Sequence, residues 1–157
     1  MKEYQAADIR NFAIVGHASS GKTMLSEAML ASAGVINRMG SISAGSTVSD
    51  YREEEQSRQI SVQSTVMNCE WQGKKFNLID SPGYADFIGD AYSGLAAADM
   101  AVIVVCAASG VQVGTELAWE MANEAGKPRA ILINRLDREN ANFDTALSQI
   151  HAQLSRR

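Results

Sequence analysis

Apolar and polar positions alternate along this chain in two rhythms. Residues 11–16 (NFAIVG) form a short apolar run that predicts a buried strand leading into a glycine-bearing loop. Residues 23–33 place Leu25, Ala28 and Met29 on one face, the spacing of a helix. From 34 to 59 the pattern is lost and Gly, Ser, Thr, Asp, Glu and Arg dominate. A structureless stretch of that length inside a compact domain marks a functional loop or a mobile segment. Residues 60–71 alternate again, with Ile60, Val62 and Val66 on one face and Met67, Cys69 and Trp71 on the other. The change of phase near Val66 predicts a bulge or an edge position. Gln72 and Gly73 make a turn, and 74–80 (KKFNLID) is the returning strand of a hairpin.

Beyond the hairpin, 86–98 reads as a helix and 100–107 (MAVIVVCA) as a strand buried on both faces. Residues 115–125 form a helix with Leu117, Met121 and Ala125 in register, stopped by Gly126, Lys127 and Pro128. A second buried strand follows at 129–134 (RAILIN). The last helix, 143–154, carries one stripe of Phe143, Ala146, Leu147, Ile150 and Leu154. Asn142 is placed to cap it, and Arg156 and Arg157 suit its negative C-terminal end. Strands alternating with helices predict an α/β domain: a mostly parallel sheet covered on both faces, with one antiparallel edge strand from the hairpin. Ligands in such sheets bind at the carboxyl ends of the strands.

Composition narrows the classes. A chain of 157 residues with 46% hydrophobic positions suits one domain with one core. The formal net charge of −4 is mild and mixed, so no basic footprint for nucleic acid exists, and no direct sequence-specific binding of it is expected. No apolar run approaches the ~18 residues of a membrane span. The opening MKEYQAADIR lacks the apolar stretch of a signal peptide. Cys69 and Cys106 have no metal or redox spacing, which predicts small buried thiols in a reduced, cytoplasmic protein. His17 and His151 form no recognisable metal pattern with them.

Three strand ends carry chemistry. Gly16, His17, Ala18, Ser19, Ser20, Gly21, Lys22 and Thr23 fit G-x-x-x-x-G-K-[ST], after a strand and before a helix, the setting of a phosphate-binding loop. Backbone N–H groups of residues 19–23 can face phosphate oxygens, and Gly21 lets the chain approach closely. Lys22 supplies charge to the β- and γ-phosphates, and the Thr23 hydroxyl can ligate Mg²⁺. Asp80, Ser81, Pro82 and Gly83 (DSPG) end a later strand. Asp80 stands where a second carboxylate would hold Mg²⁺ through water, and the Gly83 N–H can meet a γ-phosphate. Such a tetrapeptide is otherwise an ordinary turn, but its place after the phosphate loop gives it weight. At a third strand end, Asn134, Arg135, Leu136 and Asp137 (NRLD) offer a carboxylate, Asp137, that can accept from N1–H and the 2-amino group of guanine. Adenine lacks that pair of donors, so Asp137 selects GTP over ATP, and Asn134 would tie the loop together. Within the long loop, the Ser61 hydroxyl could complete the Mg²⁺ shell when a γ-phosphate is present. Glu53, Glu54 and Glu55 read as a solvated face.

In order, GHASSGKT, RQIS, DSPGYADF and NRLDRENANF closely resemble the G domain of translational GTPases, specifically elongation factor G, over nearly the whole chain. DSPGYADFIGD and GVQVGTELAW look more like the elongation factor G-like branch. The resemblance implies a P-loop GTPase (Ras-like) fold in three α/β/α layers, with GTP or GDP and Mg²⁺ as cofactors and the ribosome as partner of the full-length relative. Residues 34–59 with Ser61 correspond to switch I, and 80–97 to switch II; the γ-phosphate would hold both. Thr23, Ser61 and Asp80 would hold the metal, and Arg135 would pack along the base in place of the family's lysine. Lys22 would stabilise charge, and Tyr84 would stand nearest the attacking water.

Four departures from the family follow. Tyr84 replaces the histidine that orients water, and a phenol is a poor proton acceptor near neutral pH, though it can still share a hydrogen bond. Ser19 replaces an acidic residue of the phosphate loop. Ser61 and Gln59 replace a threonine and a glycine of switch I. The family pattern also continues past residue 157 to a Ser-Ala loop, a final strand and further domains. Residues 1–157 are therefore expected to be a C-terminally truncated, partial GTP-binding domain whose strand 129–134 is an apolar sheet edge; a degenerate stand-alone protein is the alternative. Two activities stay open: a GTPase, and a GTP-sensing module that hydrolyses little because of Tyr84. Asp137 argues against an ATP-dependent enzyme.

Overall fold

The structure, a computed structural model, describes residues 3–155. In chain order it contains β1 (Ile9–Val15), α1 (Lys22–Ser32), α2 (Glu53–Arg58), β2 (Thr65–Trp71), β3 (Lys74–Asp80), α3 (Ile88–Ala97), β4 (Met100–Cys106), α4 (Val113–Glu124), β5 (Arg129–Asn134) and α5 (Phe143–Gln153). The sheet order is β2-β3-β1-β4-β5. Among the described residues only β2 runs antiparallel in the sheet, paired along its length with β3 from Thr65↔Asp80 to Trp71↔Lys74. β1 pairs in parallel with β3 and β4, and β4 with β5. This is the α/β architecture with one antiparallel edge strand that the pattern predicts.

Alternation along the central strands sorts the core. Phe12, Ile14, Leu78 and Val104 face α1, where Leu30 closes the layer. Ala13, Val15, Ile79, Ala101 and Ile103 face α3 and α4, whose Leu95, Ala118 and Met121 complete the other side. Val105 and Ile150 join α5 to that same face through Ile131 and Ile133. Burial of one of the Leu, Ile, Val, Phe or Met side chains among them stabilises the fold by about 1.5–3 kcal/mol.

Several expectations are corrected. The alternation at 60–71 overstates its strand, because β2 begins at Thr65 and residues 60–64 are loop. No bulge interrupts the β2–β3 ladder, and of the two alternatives the edge position holds: β2 ends the sheet order and Val66 is exposed. The expected structureless stretch contains α2, whose Glu55 is buried rather than solvated. A six-residue helix rich in Glu carries no apolar stripe, so hydrophobic period could not find it. The 86–98 helix divides into a 3-10 turn at Ala85–Phe87 and α3. β5 lies at the sheet edge, as expected, but is half-buried rather than a buried strand. Phe143 and Ala125 stand exposed, outside the buried stripes of their helices. Asn142 caps α5, its side chain accepting from Thr145 N–H at 2.9 Å. Arg156 and Arg157 lie outside the described residues.

Candidate functional site

The carboxyl ends of β1, β3, β4 and β5 converge on one rim, where residues 16–21 connect β1 to α1. That loop needs unusual backbone at three positions, Gly16 (φ 134°), Ser19 (φ 60°) and Gly21 (φ 98°). A side chain at Gly16 would run into the Val104 carbonyl oxygen, so glycine lets β1 leave the sheet beside β4. Lys22 opens α1 and turns back across the loop, its Nζ donating to Gly16 O at 3.1 Å and His17 O at 3.0 Å. It is almost wholly buried, and burial pulls its pKa down to about 8 against the attraction of Asp80.

Asp80 ends β3 beneath Lys22. Burial pushes its carboxyl up to about 6, opposed by the hydrogen bond from Ser49 and by the Lys22 charge. Ser49 Oγ donates to Asp80 Oδ2 at 2.7 Å, while Oδ1 is buried with no partner. Thr23 Oγ1 lies 3.2 Å from Ser61 Oγ, and Ser61 donates to Asp50 Oδ1 at 2.7 Å. Desolvation raises the Asp50 pKa, and the Ser61 hydrogen bond opposes the rise.

These oxygens fit Mg²⁺. A small octahedral ion with ligands at about 2.0–2.1 Å places neighbouring oxygens about 3 Å apart, close to the Thr23–Ser61 spacing. The orphaned Asp80 Oδ1 is an acceptor that an ion or its water would satisfy. Two hydroxyls, with Asp80 reaching the ion through water, would leave the remaining positions of the octahedron to phosphate and water.

Above this group lies a cavity of about 280 Å³ lined by Ser19, Lys22, Thr23, Ser61, Gly83 and Tyr84, among others. Gly83 approaches so closely that a Cβ there would collide with Lys22 Nζ and come within 2.7 Å of Ala18 N. Tyr84 is partly exposed and borders both this cavity and a second one, of about 420 Å³, that extends past Pro82 and the phosphate loop toward α4.

Asn134 Nδ2 donates to Ser20 O at 3.1 Å, so the loop after β5 is tied to the phosphate loop. Arg135, left-handed at φ 60°, turns into both cavities. Burial and the nearby Arg138 charge hold its pKa below the usual value. The structure thus gathers Gly16 through Thr23, Ser61, Asp80, Gly83, Tyr84, Asn134 and Arg135. Asp137 is exposed and lies outside the lining of both cavities. Ser81 is buried against Ser64, which donates to its hydroxyl at 3.3 Å, and faces neither cavity. The His17 ring turns to α4, where a Cβ on Gly114 would meet its Nδ1 at 2.7 Å. Burial and the Lys22 charge lower the His17 pKa.

Sequence reasoning missed Glu27, Ser49, Asp50 and Glu55. Glu55 Oε1 accepts Val62 N–H at 2.9 Å and Gln63 N–H at 3.2 Å, bracing the loop next to Ser61. The run of three glutamates gave no sign of which one turns inward.

A phosphate-type loop at the rim of this sheet, with hydroxyls and a carboxylate arranged for a divalent ion, defines a P-loop GTPase-type domain. The pattern described as the elongation factor Tu GTP binding domain matches residues 7–157, and the chain belongs to that family. It is 44% identical over 140 residues to an elongation factor G-like protein of Mycobacterium tuberculosis, covering 89% of this chain and 20% of that protein. It is 39% identical over 147 residues to elongation factor G 2 of Desulfotalea psychrophila, covering 94% of this chain and 21% of the relative. A crystal structure of a Thermus thermophilus protein superposes with a TM-score of 0.91 at 40% identity, over 95% of this chain and 22% of that one. The chain therefore spans about a fifth of the length of these relatives. Among the described residues no helix is long and apolar enough to cross a membrane.

Proposed function

We propose that this chain is the GTP-binding segment of an elongation factor G-like translational GTPase, binding GTP and GDP with Mg²⁺ and hydrolysing GTP in contact with the ribosome. The convergence of buried Lys22 with Thr23, Ser61 and Asp80 supports this most strongly. Residues 19–23 direct backbone N–H groups and the Lys22 charge at the β- and γ-phosphates. Thr23 and, through water, Asp80 would hold Mg²⁺, and Ser61 would join them when a γ-phosphate is present; the ion would neutralise phosphate charge. Gly83 N–H meets the γ-phosphate, Asn134 braces the base loop, Arg135 packs along the base, and Asp137 reads guanine. Tyr84 stands nearest the water, and the ribosome supplies the remaining order.

A second reading has support in Tyr84. Its phenol borders the cavity where a water-orienting base belongs, which favours a GTP-sensing module with slow hydrolysis. Calorimetric titration of GDP, GTP and ATP with Mg²⁺ tests the nucleotide assignment: guanine-selective binding that Asp137→Ala abolishes is expected, and equal binding of ATP refutes it. Single-turnover hydrolysis by Tyr84→His separates the two readings. A faster rate supports the sensing module; an unchanged rate removes Tyr84 as the limiting element.

A further inference from the structure

Residues 40–48 form a small closed loop of their own. Gly45 N–H donates to Ile42 O at 3.0 Å, Ser46 N–H to Ser41 O at 3.1 Å, and Ser41 N–H to Ser46 Oγ at 3.0 Å. The two arms pass so closely at Gly40 that a Cβ there would run into the Ser46 carbonyl oxygen. Both ends of the loop meet on a single side chain. Glu27 Oε2 accepts Gly40 N–H at 2.7 Å, and Oε1 accepts Val48 N–H at 2.6 Å.

Glu27 is 1% exposed and sits on α1, about one turn beyond Thr23. Among the described residues no ion pair answers its charge. A buried carboxylate needs strong donors, and these two amides are the ones it has, so removing either side leaves a polar group unpaired.

The anchored end continues directly into the metal group. After Val48, the Ser49 hydroxyl donates to Asp80 and the Ser49 carbonyl accepts from Thr65 Oγ1 at 3.0 Å. Asp50 then accepts the Ser61 hydroxyl, so the Ser61 oxygen faces Thr23 as an acceptor and receives the Thr23 hydroxyl at 3.2 Å. At the loop's other end, Ile42 lines the cavity above Lys22.

We propose that Glu27 is a positioning residue that fixes the 40–48 loop to α1 and, through Ser49 and Asp50, holds Ser61 at the metal position of the γ-phosphate-bound state. The proposal rests on the nucleotide reading above. It assigns Glu27 no contact with nucleotide or metal. GDP carries no γ-phosphate and does not need Ser61, so the effect falls on GTP.

The test compares wild type, Glu27→Gln and Glu27→Ala in two measurements. The first is amide exchange at Gly40 and Val48 in the nucleotide-free chain. Both amides are expected to exchange slowly in wild type and faster in Glu27→Ala. The second is affinity for GDP and for a non-hydrolysable GTP analogue with Mg²⁺. Glu27→Ala is expected to weaken the analogue by roughly tenfold or more, the scale of a lost charge-assisted hydrogen bond, and GDP by less than about threefold. Glu27→Gln keeps one acceptor and the shape of the side chain, so an intermediate loss is expected, and it carries the test should Glu27→Ala not fold. An equal loss for both nucleotides marks a merely structural role and overturns the proposal, as does unchanged amide exchange. Wild type that binds neither nucleotide overturns the nucleotide reading itself, and the Glu27 coupling falls with it.

Discussion

Gly83→Ala isolates the contact between the DSPG turn and the phosphate loop. An ideal Cβ at Gly83 would stand 2.7 Å from Ala18 N and 2.9 Å from Ala18 Cα, and would collide with Lys22 Nζ. Ordinary contacts lie near 3.5–4.0 Å, so the overlap approaches a full ångström. Lys22 cannot swing away without giving up its bonds to Gly16 O and His17 O. Ala18 is backbone and cannot swing at all. The turn itself must therefore withdraw, taking the Gly83 N–H and Tyr84 with it. Overpacking of this kind costs about 1–3 kcal/mol, or roughly 5- to 150-fold in affinity for a ligand that needs the closed turn. GDP makes no demand on that turn. Titration of GDP and a non-hydrolysable GTP analogue into the variant should show the loss for the analogue alone. Analogue affinity within twofold of wild type would refute the reasoning, because the turn would then have room the structure does not show.

Ser61→Ala removes a hydroxyl from beside Thr23 and leaves Asp50 without its donor. The expected loss is about 10- to 100-fold in Mg²⁺-dependent binding of the GTP analogue, read by the same titration. Asn134→Ala unties the base loop from Ser20 O and Gly21 O. It should weaken GDP and the analogue equally, by about fivefold, and a loss confined to one nucleotide would contradict the bracing role.

Elements with a clear period were legible in the sequence. The β-branched run of β4 and the Ala146–Ile150 face of α5 could hardly be read otherwise, because burial there demands apolar residues at regular spacing. The phosphate loop was legible for a different reason: its glycines answer backbone needs that few other residues meet. The 34–64 segment was not. Its order comes from single polar side chains, Glu27, Ser49, Asp50 and Glu55, each binding a backbone group or hydroxyl far along the chain. Such bonds leave no periodicity. Asp137 shows the converse: NRLD singles it out, while the structure leaves it exposed and outside both cavities.

The charges around the phosphate loop favour a cation over bare anions. Asp80, Asp50, Glu27 and Glu55 are all buried near it, against Lys22 and the half-buried Arg135. Phosphate oxygens entering this setting meet excess carboxylate unless a divalent ion comes with them, so chelating Mg²⁺ should weaken the GTP analogue more than GDP. The pH dependence follows from Asp80, whose folded pKa of about 6 lies above the ordinary value of 3.8. The folded state holds this proton more tightly than the unfolded one. Asp80 therefore contributes stability to the metal-free protein below about pH 4, and that contribution is lost as pH rises through about 6. Mg²⁺ requires the ionised carboxylate, so its affinity has the opposite slope and falls by up to about tenfold per unit below pH 6. Asp50, also raised by burial, acts in the same direction. Lys22, at about 8, stays charged through this window. The thermal shift produced by Mg²⁺ with GDP should be clearly smaller at pH 5 than at pH 7.5. Equal shifts at both values would mean that Asp80 takes no part in holding the ion.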